Sequence, residues 1–189
     1  MLKDLLAITT LDAEHPLAKQ FCTGFEIGDY MYPIAKDAIP EKQRIISRLM
    51  DGFSKFSFHG ACVNYDDITK TSEAEFLRLY NESYNFAKFH NISEIVFHAN
   101  YVAGQEAETL WIKRQSAFWK QFLQDKQINI YLENLVDDTP ELMAELCDTV
   151  NDPRFKICLD VGHALCNSKT IVLECNFNES LLWLQENMM

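Results

Sequence analysis

The stretch Phe155-Lys-Ile-Cys-Leu-Asp-Val161, followed by Gly162 and His163, is the most informative part of the chain. Its apolar and β-branched residues predict a buried strand. Asp160 and His163 stand where this strand gives way to glycine. Since α/β barrels place their active sites at the C-terminal ends of their strands, an acid and a histidine here indicate a functional site.

Three earlier strand-like segments also end in residues that can bind a metal or move a proton. They are Phe56-Ser-Phe-His59, Ile95-Val-Phe-His98 and Ile128-Asn-Ile-Tyr-Leu-Glu133. The first is followed by Gly60 and the third by Asn134. Four strand candidates in chain order therefore bring His, His, Glu and an Asp/His pair to what we predict to be one mouth.

Strand and helix signals alternate along the chain, which predicts a parallel sheet wrapped by helices. Ser72-x-x-Glu75 is a capping box, and Thr139 before Pro140 is a typical helix start. The predicted strands are 5–9, 24–27, 56–59, 95–98, 128–133 and 155–161, and the predicted helices are 14–21, 40–50, 72–89, 106–125 and 139–150.

Composition excludes some classes of protein. The 189 residues suit one domain, and a hydrophobic content of 48% supplies a core. The 28 acidic residues outnumber the 17 basic ones, and this net charge of −11 disfavours a nucleic-acid surface. We see no apolar run long enough to span a membrane and no signal peptide. Six cysteines without a C-x-x-C pair predict free thiols in a cytoplasmic protein rather than a cysteine-based zinc site.

Carboxylate oxygens and imidazole nitrogens are ligands for divalent metals. Glu133 and Asp160 would be the charged ligands, with His98 and His59 as nitrogen donors. His163 would either bind a second metal or contact substrate. A single such residue at a strand end usually only forms hydrogen bonds or caps the next helix. Four in succession favour a site, because burying unpaired acids is costly.

At these residues the chain resembles the xylose isomerase-like TIM barrel superfamily, which contains sugar and sugar-phosphate isomerases and epimerases and zinc-dependent apurinic endonucleases. The resemblance rests on His59-Gly60, Glu133-Asn134 and Asp160-x-x-His163 in this order, and it covers residues 1 to about 169. It implies a (β/α) TIM barrel in which Glu133 and Asp160 bind metal.

The two branches of the superfamily imply different roles for the same residues. In the isomerases, the residue matching Glu133 also shuttles a proton, and the one matching His163 contacts substrate. We assign Asn134 to substrate binding as well. In the endonucleases, the residues matching His59, His98 and His163 all bind zinc.

The family pattern continues to a seventh strand with a histidine and an eighth with a second glutamate, whereas no histidine follows His163 here. We therefore expect residues 1–189 to form a single partial barrel of about six βα units. Its first and sixth strands should be open edges that allow self-association or are covered by residues 171–183. Glu174 and Glu179 have no motif that ties them to the missing acid.

These observations predict a metal-dependent sugar or sugar-phosphate isomerase/epimerase that transfers a proton next to a carbonyl, with Glu133 as the catalytic residue. The cofactor would be a divalent metal among Mn, Zn, Mg and Co, and the partner a small-molecule sugar, with neither nucleic acid nor membrane. The alternatives are an apurinic endonuclease-like hydrolase and a non-catalytic remnant.

Overall fold

The computed structural model describes residues 7–9, 13, 17–32, 34–63, 71–99, 107–135, 139–160 and 163. These residues form alternating strands and helices. The strands are β1 (Ala7–Thr9), β2 (Gly24–Ile27), β3 (Lys55–His59), β4 (Glu94–His98), β5 (Asn129–Glu133) and β6 (Phe155–Cys158). The helices are α1 (Ala18–Phe21), α2 (Ile39–Met50), α3 (Glu73–Phe89), α4 (Glu108–Leu123) and α5 (Pro140–Val150).

The six strands form one sheet in the order β1-β2-β3-β4-β5-β6, and every neighbouring pair is parallel. This sequential order with intervening helices is the wall of a TIM barrel, so the predicted α/β fold is confirmed. Eight strands close such a barrel. The six strands in the described ranges therefore form an open arc that ends at β1 and β6.

Two expectations about the edges of this arc are not tested by the structure. Self-association through open edges stays a prediction. Residues 171–183, with Glu174 and Glu179, lie outside the described residues.

Alternate strand residues point to opposite faces of the sheet, and this alternation places the core between strands and helices. On β4, Ile95 and Phe97 are fully buried on the helix side. Tyr80 of α3 stacks on Phe97 at 4.2 Å and on Trp119 of α4 at 5.6 Å between ring centroids. The alternate residues Val96 and His98 face the inside of the arc, where the strand ends form the mouth.

Local signals fix the helix ends that the sequence predicted. The Ser72 hydroxyl accepts a hydrogen bond from Glu75 N at 3.2 Å at the start of α3. At the start of α5, the Thr139 hydroxyl likewise accepts a hydrogen bond from Leu142 N. Helix α5 ends at Val150, and the capping residue Asn151 takes a left-handed conformation with φ of 50°. Within the described ranges, no helix is both long and apolar enough to cross a lipid bilayer.

Candidate metal centre

Strands β3, β4 and β5 end in His59, His98 and Glu133, and the sheet register brings these ends together. His98 lies directly beside Glu133 in the parallel pairing of β4 with β5. His59 pairs with Val96, which lies two residues before His98 at the end of β4. Because register neighbours point to the same face, all three side chains enter the inside of the arc.

The carboxylate of Glu133 is the centre of the cluster, and it is only 8% exposed. His98 Nε2 lies 3.3 Å from Glu133 Oε1, and His59 Nε2 lies 3.5 Å from Oε2. Each oxygen of one buried carboxylate therefore faces its own imidazole. Two ligand bonds of about 2.1 Å at a tetrahedral angle hold their donor atoms about 3.4 Å apart. The observed spacing and the donor types fit a divalent transition metal.

His163 is attached to this cluster by a clamp at the end of β6. Asp160 N donates to Asn134 Oδ1 at 2.7 Å, and Asn134 Nδ2 donates to Asp160 O at 3.1 Å. These side-chain bonds follow directly after β6, which ends at Cys158. The predicted end of this strand, Val161, lies outside the described residues. His163 N then donates to Asp160 Oδ1 at 2.7 Å.

The clamp sets the position of the His163 ring. Its Nδ1 lies 2.8 Å from Asn134 O and 3.5 Å from Glu133 Oε1. The short contact indicates that Nδ1–H donates to the Asn134 carbonyl. The amide side chain of Asn134 thus positions Asp160, and the substrate-binding role that we assigned to Asn134 stays a prediction.

Two groups of donor atoms within the described residues are close enough to hold an ion, with all donor atoms of a group within 4.8 Å of one another. One group is His98, Glu133 and His163, and the other is His59, Cys62 and His98. The structure therefore brings His59, His98, Glu133 and His163 together. Asp160 lies at the rim, where its carboxylate contacts His163 and its side chain is 36% exposed.

Cys62 is the member of these groups that the sequence argument missed. Its Sγ lies 3.6 Å from His98 Nδ1 and 3.8 Å from His59 Nδ1. The six cysteines form no C-x-x-C pair, and this absence predicts that none of them binds a metal. The available signal was His59-x-x-Cys62, which repeats the spacing of Asp160-x-x-His163 after another strand end.

The charges of the cluster depend on one another. Burial opposes the ionisation of Glu133, but hydrogen bonds from His59 and His98 outweigh it and hold the pKa of Glu133 below its usual value. Burial also opposes charging of the histidines, yet their contacts with Cys62 and Glu133 raise the pKa of His98 to about 9 and that of His59 to about 11. With no metal bound, the directions of these pKa shifts favour protonated imidazoles beside an ionised Glu133 carboxylate.

The thiol of Cys62 responds to the same charges. Burial favours its neutral form, but the adjacent His59 and His98 rings lower the pKa of Cys62 to about 7. Cys158, which lies beside Glu133 in the pairing of β5 with β6, has a pKa raised to about 12 by burial and by nearby carboxylates. Of these two thiols, the one between the imidazoles is therefore the one available as a thiolate near neutral pH.

Comparison with known proteins agrees with this architecture. A sequence model of the family described as "Xylose isomerase-like TIM barrel" matches residues 18–182. The chain belongs to this family. A search of curated protein sequences gave no significant match. Family membership confirms the resemblance inferred from the sequence motifs, while the roles of the individual site residues stay predictions.

Solved structures of similar fold share little sequence with this member of the family. The TTHB071 protein from Thermus thermophilus, from a crystal soaked with ZnCl2, has a TM-score of 0.60 and 20% identity over 84% of this chain and 66% of its own. A sugar phosphate isomerase/epimerase from Parabacteroides distasonis has a TM-score of 0.60 and 13% identity over 98% of this chain and 72% of its own.

A D-psicose 3-epimerase solved in the presence of D-fructose has a TM-score of 0.60 and 14% identity over 87% of this chain and 66% of its own. At such identities, the likeness shows the fold alone. The chain spans slightly less than two thirds of the length of the Thermus protein and of this epimerase.

Proposed function

We propose that this chain is a metal-dependent sugar or sugar-phosphate isomerase or epimerase that moves a proton next to a carbonyl. The observation that carries the proposal is the position of Glu133, a buried carboxylate at the strand ends with an imidazole nitrogen facing each of its oxygens. The similar fold of a D-psicose 3-epimerase and of a sugar phosphate isomerase/epimerase supports this class.

A divalent ion would be held by Glu133 and His98, with His59 and Asp160 as the further ligands that we predict. When bound, it would polarise the carbonyl oxygen of a sugar. Glu133 would be the base that accepts a proton from the substrate. Its contacts with His59 and His98 lower its pKa and so weaken it as a base while both rings are charged. Its basicity would rise once His59 and His98 lose their protons.

His163 is the residue that we propose to contact the substrate. Its Nδ1–H donates to Asn134 O, and this contact leaves Nε2 to meet a sugar hydroxyl. The clamp between Asn134 and Asp160 holds the ring in place, which reduces the entropy lost when substrate binds.

The experiment is to measure Mn²⁺ binding by calorimetry and the exchange of ketose C–H protons with deuterated solvent by NMR. Glu133→Gln should abolish exchange and weaken Mn²⁺ binding at least about 100-fold, since even outer residues of metal sites contribute about 10–100-fold. The matched control is Glu94→Gln. Glu94 starts β4, at the opposite end of this strand from His98, and lies on the same face of the sheet as His98 and Glu133. Unchanged Mn²⁺ binding in Glu133→Gln would contradict the proposal, and no binding by the native protein would favour a non-catalytic remnant.

One observation favours a metal-dependent hydrolase as the second candidate. Nitrogens of three histidines, His59, His98 and His163, all lie within 3.5 Å of Glu133, and these match the histidines that bind zinc in the endonuclease branch. The net charge of −11 opposes this function. The described residues 28–32, 60–63, 99 and 134–135, which directly follow β2 to β5, also contain no lysine or arginine to meet a phosphate backbone.

A duplex with an abasic site, incubated at low salt with Mn²⁺ or Zn²⁺, separates the two candidates. We expect no cleavage, because the acidic protein lacks the counterion release that drives DNA binding. Metal-dependent nicking by the native protein that disappears in Asp160→Asn would reverse our ranking.

A further inference from the structure

The loop after β3 holds Cys62 in a fixed place beside the cluster. Ala61 N donates to Ser83 Oγ of α3 at 2.9 Å, and Cys62 N donates to Met31 O at 2.8 Å. Gly60 N donates to Val96 O of β4 at 2.8 Å. Each successive amide of the loop is therefore bonded to a different part of the fold, and the thiol is positioned before any ligand arrives.

The rings of His59 and His98 lie between Cys62 and Glu133. Each ring presents Nδ1 to the sulfur, at 3.8 and 3.6 Å respectively, and Nε2 to the carboxylate, at 3.5 and 3.3 Å. Bonds of about 2.3 Å to sulfur and about 2.1 Å to nitrogen, at a tetrahedral angle, separate the two donor atoms by about 3.6 Å. The sulfur-to-nitrogen distances therefore match shared coordination of one ion.

We propose that Cys62 Sγ, His59 Nδ1 and His98 Nδ1 form a second metal position that binds a thiophilic ion of the zinc class. A thiolate with two imidazoles is a soft donor set, which selects zinc and its analogues over magnesium and manganese. Three protein ligands leave a fourth tetrahedral position open.

Glu133 has a different role at this second position. With Nδ1 of each ring bound to the ion, the Nε2–H groups of His59 and His98 donate to the two oxygens of Glu133. Carboxylates that accept from metal-bound histidines in this way orient the rings and strengthen the site. Binding through His59 Nδ1 also gives up the 3.0 Å contact of this nitrogen with Gly60 O.

The inference goes beyond the proposed function, which uses the opposite nitrogens of the same rings. A neutral imidazole donates only one lone pair to a metal, so an ion at the thiolate position competes with an ion that needs the Nε2 atoms. The two positions thus differ in the ion they prefer, and Cys62 belongs to only one of them.

The test is a titration of the metal-free full chain with Co²⁺, which replaces zinc and shows a thiolate-to-metal charge-transfer band in the near ultraviolet. We expect this band in the native protein and its complete loss in Cys62→Ser. The matched control is Cys147→Ser, a partly buried thiol on α5, which should keep the band. Zn²⁺ affinity, measured by competition with a chromophoric chelator, should fall at least about 100-fold in Cys62→Ser alone.

Two further variants separate this inference from the proposed function. Glu133→Gln should keep the charge-transfer band, with Co²⁺ affinity reduced about 10–100-fold, because Glu133 is an outer residue of this site. Cys62→Ser should leave Mn²⁺ binding unchanged. A native protein without the band, or a band that persists in Cys62→Ser, would overturn the inference whatever the result for Glu133 and Mn²⁺.

Discussion

Replacing Gly60 by alanine should destabilise the protein through one buried ring. A Cβ at Gly60 would lie 2.1 Å from Cε1 and 2.3 Å from Cδ1 of Phe97, far inside van der Waals contact. Phe97 is fully buried and cannot swing into solvent. It packs against Tyr80, Trp119 and Phe122 with centroid distances of 4.2 to 5.8 Å, so its displacement would move several core side chains.

The magnitude follows from two opposing effects. Forcing an extra carbon into a packed core costs about 1–3 kcal/mol, and the enclosure of Phe97 favours the upper end. Replacing glycine by alanine restricts the unfolded chain and returns about 0.4–1 kcal/mol. We therefore expect Gly60→Ala to lower the free energy of unfolding by about 2 kcal/mol, or Tm by about 4–8 °C for a chain of this length.

The assay is urea unfolding of the metal-free protein, followed by tryptophan fluorescence. Gly28→Ala is the matched control, because Gly28 also follows a strand but its added Cβ would meet only the flexible end of Met31, at 3.2 Å. Phe97→Leu in the Gly60→Ala background should recover part of the loss. If Gly60→Ala and Gly28→Ala differ by less than about 0.5 kcal/mol, the packing argument is wrong.

Three other predictions concern stability. Tyr30→Phe should cost about 1 kcal/mol in urea unfolding, because His90 Nε2 loses its buried 3.2 Å contact with the Tyr30 hydroxyl; a neutral result would contradict this. The folded protein raises the pKa of His98 to about 9 and that of His59 to about 11. Protonation of these two rings therefore stabilises the metal-free fold fully below about pH 6.5, and this stabilisation is lost as pH rises through the two raised values. Replacing both histidines by asparagine should reduce the loss of unfolding free energy at alkaline pH. An unchanged dependence of that free energy on pH would show that these histidines do not cause the loss. Ser72→Ala should cost about 1 kcal/mol by removing the N-cap of α3, whereas Ser72→Asp should keep full stability in the same assay.

The fold could be predicted from sequence because its signals are local. Strands β3, β4 and β5 are short, mostly apolar runs that end in a histidine or a glutamate, and the strand predicted at 128–133 is observed at Asn129–Glu133. The N-caps Ser72 and Thr139 each bond to the residue three positions later, so a motif of four consecutive residues is enough to predict where α3 and α5 start. Helix α4 is shorter than predicted by two residues at each end, which is the usual uncertainty of helix termini.

The details of the site depend on contacts between distant parts of the chain. The place of Cys62 is set by Met31 O and Ser83 Oγ, and no local pattern around Cys62 refers to either group. Asp160 stays a predicted metal ligand, and its Oδ1 accepts the backbone N–H of His163 at the rim. Its position depends on the Asn134 clamp, which joins β5 to the residues after β6 and follows from no spacing in the sequence.

The strictly sequential strand order has a consequence for how the chain acquires its structure during synthesis. Every strand pairs with the strand made just before it, so each new βα unit can dock on a finished edge as it leaves the ribosome. His59 and His98 come together before Glu133 is made, and the contacts with Glu133 that help to raise the pKa of both rings form only when β5 docks. Before that step, burial and mutual repulsion favour the neutral imidazoles. The docking of β5 is therefore the step at which the paired rings gain the carboxylate partner that favours their protonation.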